Sequence, residues 1–149
     1  MSKRKTKKNG VKYWKGKAWD EFSKYIRLRD AIETTKTKEW IICCTCGKQY
    51  PAFGRGCAQA GHYIPGRTHI LLFEEHGVHA QCYNCNHTLK GNTVNYRDFM
   101  VQKYGLKETE RIEMSRFNNT FKYRDYELKG LRDKYKKKYE ELLKIVNKF

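Results

Sequence analysis

The sequence predicts an α+β fold in which a zinc-braced core of short strands is flanked by an N-terminal helix and a C-terminal helical tail. Three observations carry this. Two C-x-x-C pairs, Cys43/Cys46 and Cys82/Cys85, bracket the middle of the chain. Apolar residues recur at helical spacing on either side of that middle. Between residues 47 and 66 lie five glycines and both prolines, which is the composition of hairpins and loops.

The first 17 residues hold eight basic side chains and no acidic one. Such a segment repels itself and lacks apolar surface, so residues 1–12 are expected to be disordered when free. Lys3, Arg4, Lys5, Lys7 and Lys8 are its candidate phosphate contacts; a merely solubilising tail is the plainer reading. From Ala18 to about Lys36, Trp19, Phe22, Ile26 and Arg29 form one stripe with Tyr25 beside it, read as core packing. Residues 39–43 (EWIIC) are β-like and lead into the first cysteine pair. Residues 69–73 and 78–81 read as further short strands around an acidic turn, Glu74-Glu75-His76-Gly77. Helices are expected at 95–104, stopped by Gly105, and at 107–116, with a break at Asn118-Asn119. The last runs from about Tyr123 to Asn147. Its stripe, Leu128, Leu131, Tyr135, Leu142, Val146 and Phe149, packs on the domain or pairs with a second subunit, and Lys138 falls where an apolar residue is wanted.

Composition limits the function. The formal net charge is +16, from 32 Lys+Arg against 16 Asp+Glu, which points to a polyanionic partner, most often nucleic acid. No apolar run approaches the roughly 18 residues of a membrane span. No apolar segment follows the basic N-terminus, so export is not expected and a cytoplasmic location is. In that setting six cysteines read as metal ligands sooner than as disulfides. Cys43, Cys46, Cys82 and Cys85 supply the four thiolates that a structural Zn²⁺ prefers, and Gly47 lets the first knuckle turn close. Cys44 and Cys57 are left over. A closed four-thiolate site has no position for substrate, so this zinc is expected to hold the fold and do no chemistry.

All five histidines fall between residues 62 and 87, and the second knuckle continues as C-x-x-C-N-x-x-x-K-G-N (Cys82 to Asn92) downstream of Ala60-Gly61-His62-Tyr63. This block resembles the HNH, or His-Me finger (ββα-metal), endonucleases. With the VHxQC run of residues 78–82 and the basic helical tail, it resembles more closely the phage NinG (Rap) recombination endonucleases. Phage endonuclease VII shares the CxxCN knuckle more distantly. The resemblance implies an HNH-like nuclease domain over 18–105, a basic arm over 1–17, and a helical tail over 106–149 for DNA contact, dimerisation or both. It implies a hydrolase that cuts branched recombination intermediates, Holliday or D-loop junctions, in the cytoplasm of a phage-infected cell.

Phosphodiester hydrolysis needs a base for water, a cation on the scissile phosphate and help for the leaving 3′ oxygen. On the resemblance, His62 is the base, its imidazole having an ordinary pKa of about 6.5. Asn86 opens the helix after the knuckle and offers a carboxamide oxygen to Mg²⁺ or Mn²⁺. Lys90, at i+4 on the same helix face, touches a phosphate. Two positions depart from the family pattern. Gly61 stands where an acidic ligand usually precedes the base, and Gly77 stands where an asparagine usually braces the loop. His79 is the candidate to complete the metal site, if its strand pairs with that of His62 so that both rings face one site; the alternative is that it orients His62 or packs beneath the loop. The competing function is a non-catalytic zinc module that binds nucleic acid, for which Gly61 and Gly77 would mark a decayed site. An HNH homing or restriction nuclease would need a separate sequence-reading domain, for which there is little room.

Overall fold

The computed structural model describes residues 10–65, 69–118 and 120–148. The element order is α1 (Val11–Thr35), β1 (Trp40–Ile42), β2 (Gln49–Pro51), β3 (Gln59–His62), β4 (Val78–Gln81), α2 (Thr93–Tyr104), α3 (Leu106–Ser115) and α4 (Asp125–Val146). Two 3-10 turns, His69–Leu71 and Glu75–Gly77, lie between β3 and β4, and a single wide helical turn, Asn84–Thr88, follows β4. The strands form two separate antiparallel hairpins, β1–β2 and β3–β4. A Cys44 N–H donated to the Ala80 carbonyl (3.0 Å) ties one hairpin to the other.

Helix α1 is the spine. Its predicted stripe is buried at Phe22 and Ile26, which meet Ala60 and Val78 of the second hairpin on one side and Leu128 and Tyr135 of α4 on the other. The Phe22 and Tyr135 rings pack edge to face at 4.7 Å. Burying side chains of this size stabilises the fold by about 1.5–3 kcal/mol each. Leu128, Leu131 and Tyr135 of the α4 stripe are therefore used within the chain. Lys138, the apparent misfit, places Nζ 2.9–3.0 Å from both Glu75 carboxylate oxygens and lies over the Tyr25 ring at 4.7 Å.

Three expectations are corrected. Helix α1 starts at Val11, inside the segment read as an arm, because Trp14 gains a tertiary partner: the Arg132 guanidinium of α4 lies 5.2 Å from its ring. Residues 69–71 form a 3-10 turn, not a strand. Their run of apolar side chains has no alternation to set a strand face, and β4 already pairs with β3. The helix expected to carry both Asn86 and Lys90 ends at Thr88, and Lys90 follows in a turn at φ 50°. No helix among the described residues is long and apolar enough to cross a membrane.

Candidate functional site

The four paired cysteines converge. Their sulfurs all lie within 4.8 Å of one another, and Cys46 Sγ is 3.9 Å from Cys82 Sγ. Zn–S bonds of about 2.3 Å in a tetrahedron require S···S separations of about 3.8 Å, so the set fits zinc. Each knuckle is shaped by its backbone. Gly47, at φ 74°, donates its N–H to the Cys43 carbonyl (3.0 Å), while Cys43 N–H donates to the Lys48 carbonyl (2.9 Å). Backbone N–H groups of Cys82 and Cys85 point at the sulfurs of Cys43 (3.3 Å) and Cys82 (3.4 Å). Burial opposes ionisation of Cys43, but the Thr45 hydroxyl and the backbone N–H groups of Cys82, Cys46 and Thr45 outweigh it and lower its thiol to about 7. Burial and the neighbouring sulfurs push Cys85 the other way. Four thiolates this close require a cation. Cys44 points elsewhere, into an apolar cluster with Tyr96, where burial raises its thiol; Cys57 lies against the Arg27 guanidinium at 3.6 Å.

Beside this frame is a cleft of about 160 Å³ lined by Ala60, His62, Tyr63, Pro65, Asn86, Lys90, Gly91 and Thr93. Strand β3 delivers His62 to it and the turn after Cys85 delivers Asn86, while Lys90 lines it from the following turn. The His62 ring stacks on Trp19 of α1, with centroids 5.1 Å apart and planes 17° from parallel. His62 Nε2 lies 3.2 Å from the Leu72 carbonyl. A carbonyl only accepts, so Nε2 carries a proton and donates it to Leu72. Asn86 Nδ2 donates to Gln59 Oε1 (2.8 Å), which turns its own carboxamide oxygen toward Gly61.

The register corrects the expectation for His79. Gly61 pairs with His79 and His62 with Val78, so the two histidines are on opposite faces of the hairpin. His79 is 1% exposed, and both its nitrogens are engaged. Nδ1 accepts from Arg29 Nη2 (3.0 Å), and Nε2 lies 3.0 Å from the His76 carbonyl and 2.9 Å from the Tyr104 hydroxyl. Burial lowers its pKa and keeps the ring neutral. With no lone pair to offer, His79 is not a metal ligand; it belongs to a buried polar knot. In that knot Asp30 accepts from Arg29 Nε (2.7 Å) and from the Ala80 N–H (2.7 Å). Burial opposes the Asp30 charge, but the Arg29 guanidinium and the Ala80 N–H stabilise it, and the carboxyl is held at about 2.

Three residues that contact the cleft's lining or its backbone do not stand out in the sequence. Trp19 reads as core, since an aromatic stripe does not say which ring meets a histidine. Gln59 belongs to no motif, and Gln81 figures only as one letter of the VHxQC run, with no chemistry attached. Gln81 is fully buried, and its Oε1 has no hydrogen-bond partner among the described residues; leaving such an acceptor unsatisfied costs about 1–3 kcal/mol. His76 and His87 are exposed, stacked on Tyr104 and Tyr83 respectively. Lys3, Arg4, Lys5, Lys7 and Lys8 lie outside the described residues.

The family model described as Bacteriophage Lambda NinG protein matches residues 1–145. The chain belongs to the NinG family. Among curated relatives, this NinG-family chain is 28% identical over 131 residues to Protein ninG of Salmonella phage P22. The same identity over the same length holds for Protein ninG of Escherichia phage 933W and of Escherichia phage lambda. These alignments cover 87% of the chain but only 57–58% of the relatives, so the chain spans little more than half of their length. No solved structure matches.

Proposed function

We propose that this NinG-family chain is a metal-dependent DNA endonuclease of the HNH type that hydrolyses phosphodiester bonds in branched recombination intermediates. The observation that carries the reading is the convergence of His62, Asn86 and Lys90 on one cleft that the four-cysteine frame holds in shape.

His62 takes the proton of the attacking water, with Trp19 and the Leu72 carbonyl fixing the ring. Lys90 holds a phosphate oxygen at the cleft mouth. Gln59 presents the Asn86 oxygen, a hard donor suited to Mg²⁺ or Mn²⁺. When bound there, such a cation would neutralise charge on the scissile phosphate and the leaving 3′ oxygen. Zinc on the four cysteines would keep the knuckle, and with it Asn86, in place. The excess of positive charge reads backbone shape and not base sequence, which suits a branched substrate. Symmetric cutting of a junction takes two copies of the site. Leu128 and Tyr135 face α1, so copies pairing through the C-terminal helix would do so through its remaining surface. The host-cell cytoplasm is the compartment this activity calls for.

A second reading, a non-catalytic zinc module binding nucleic acid, is favoured by Gly61, which provides no acidic ligand, and by Gly77, which provides no bracing amide. Incubating the zinc-loaded chain with a labelled four-way junction and Mg²⁺ separates the two. The endonuclease reading expects nicks that stop on chelation of Mg²⁺, and tight binding without nicks would overturn it. A second expectation concerns the N-terminus. Because α1 begins at Val11, removing residues 1–9 deletes Lys3, Arg4, Lys5, Lys7 and Lys8 and leaves the helix whole. The slope of log binding constant against log salt should flatten by about 0.9 for each phosphate that the arm neutralises. An unchanged slope would remove the arm from the DNA interface.

A further inference from the structure

We infer that Gln81 supplies, from β4, the metal ligand that Gly61 lacks on β3. This deepens the endonuclease reading and rests on it.

The Gln81 side chain is fully buried and its orientation is fixed. Its Nε2 donates to the Gly91 carbonyl (2.9 Å) and to Thr45 Oγ1 (3.2 Å). The Gly91 carbonyl only accepts, so the amide cannot be turned over, and Oε1 must face the other way. There it finds no donor among the described residues. It finds Gly61 instead. A Cβ built on Gly61 would collide with Gln81 Oε1 and would lie 2.9 Å from Gln81 Cδ and 3.1 Å from Asn86 Oδ1. Two carboxamide oxygens thus converge on the place where a side chain at position 61 would begin. One is presented by Gln59 and the other is unpartnered.

A buried acceptor without a donor, next to a second acceptor, is unfavourable unless a cation or a bridging water joins them. Oxygen is the donor that Mg²⁺ and Mn²⁺ prefer, and Mg²⁺ is commonly held by one or two protein ligands together with water and substrate phosphate. Gly61 is then no sign of a decayed site. It is the residue that leaves room for Gln81, and any larger residue would displace that oxygen. Two neutral amides also attract a dication less than a carboxylate does. The free protein should bind Mg²⁺ weakly, and the phosphates of bound DNA should strengthen binding.

The test is an Mg²⁺ titration of the zinc-loaded, ¹⁵N-labelled chain, following the side-chain NH₂ resonances of Gln81 and Asn86. Both are expected to shift along one isotherm. Gln81→Met should weaken Mg²⁺ binding by about 10–100-fold. Gly61→Asp combined with Gln81→Ala, which moves the ligand to the facing strand, should restore it to at least the wild-type affinity. If Asn86 shifts while Gln81 does not, or Gln81→Met binds as tightly as wild type, this inference fails and the endonuclease reading survives. If neither resonance moves at saturating Mg²⁺, the metal-dependent reading fails with it. Because the titration of the wild type needs no substitution, a variant that fails to fold leaves the proposal testable.

Discussion

Removing zinc, with a chelator or through Cys82→Ser, is expected to unfold the block from β1 to α2. Both hairpins are two-stranded and three or four residues per strand, too short to persist alone in water. Beyond the Cys44–Ala80 hydrogen bond and the small cluster of Ile41 and Ala80, what joins them is the sulfur set: Cys43 follows β1, Cys82 follows β4, and Cys85 anchors the turn carrying Asn86. Four-cysteine and related zinc sites bind with about 10–16 kcal/mol in small peptides, comparable to the roughly 5–15 kcal/mol that stabilises a whole domain. One zinc per chain by elemental analysis, and loss of the cooperative thermal transition with a strong chelator, are the expected results. A folded, chelator-resistant chain without bound metal would remove the frame.

Asp30→Ala should cost about 3–5 kcal/mol, the usual penalty for breaking a buried charge pair. It strips the acceptor from Arg29 Nε and from the Ala80 N–H, both 2.7 Å away, and leaves a guanidinium buried beneath His79. Asp30→Asn should lie between, keeping an acceptor for Ala80 but losing the charge. The pH dependence has a definite sign. The folded pKa of Asp30, about 2, is below the unfolded value of about 3.9, so its contribution is full above that value and disappears as pH falls through 2. His79 is also lowered, by burial, so its contribution begins to be lost below about 6.5. Wild type should therefore lose stability on acidification in both windows, and Asp30→Ala should lack the lower one. Chemical denaturation followed from pH 7 to 2, with zinc content measured alongside, checks this; parallel curves would contradict the assignment.

The elements legible in the sequence are those with a strong local signal. The C-x-x-C pairs set the sulfur frame by spacing alone, Phe22 and Ile26 mark the buried side of α1, and Gly105 marks a helix end. What is not legible depends on contacts distant in sequence. The face of His79 is decided by a one-residue register between β3 and β4, which no local pattern encodes. Its partners Arg29 and Asp30 come from α1, about fifty positions earlier, and only packing shows that they meet. The early start of α1 at Val11 depends on Arg132 and Lys129 against Trp14. In the cleft, His62 and Asn86 are suggested by their resemblance to a motif. Gln81 becomes visible only because its Oε1 occupies the space beside Gly61.

The most direct measurement of the central claim is single-turnover nicking of a labelled four-way junction in Mg²⁺ by wild type and by His62→Ala. Both proteins should bind the junction equally, because His62 carries no fixed charge and the basic residues are untouched. Wild type should nick it, and the variant should be slower by about 10²–10⁴-fold, the contribution of a general base. Equal nicking by the two proteins, or salt-sensitive binding by wild type with no nicking at all, would contradict the account.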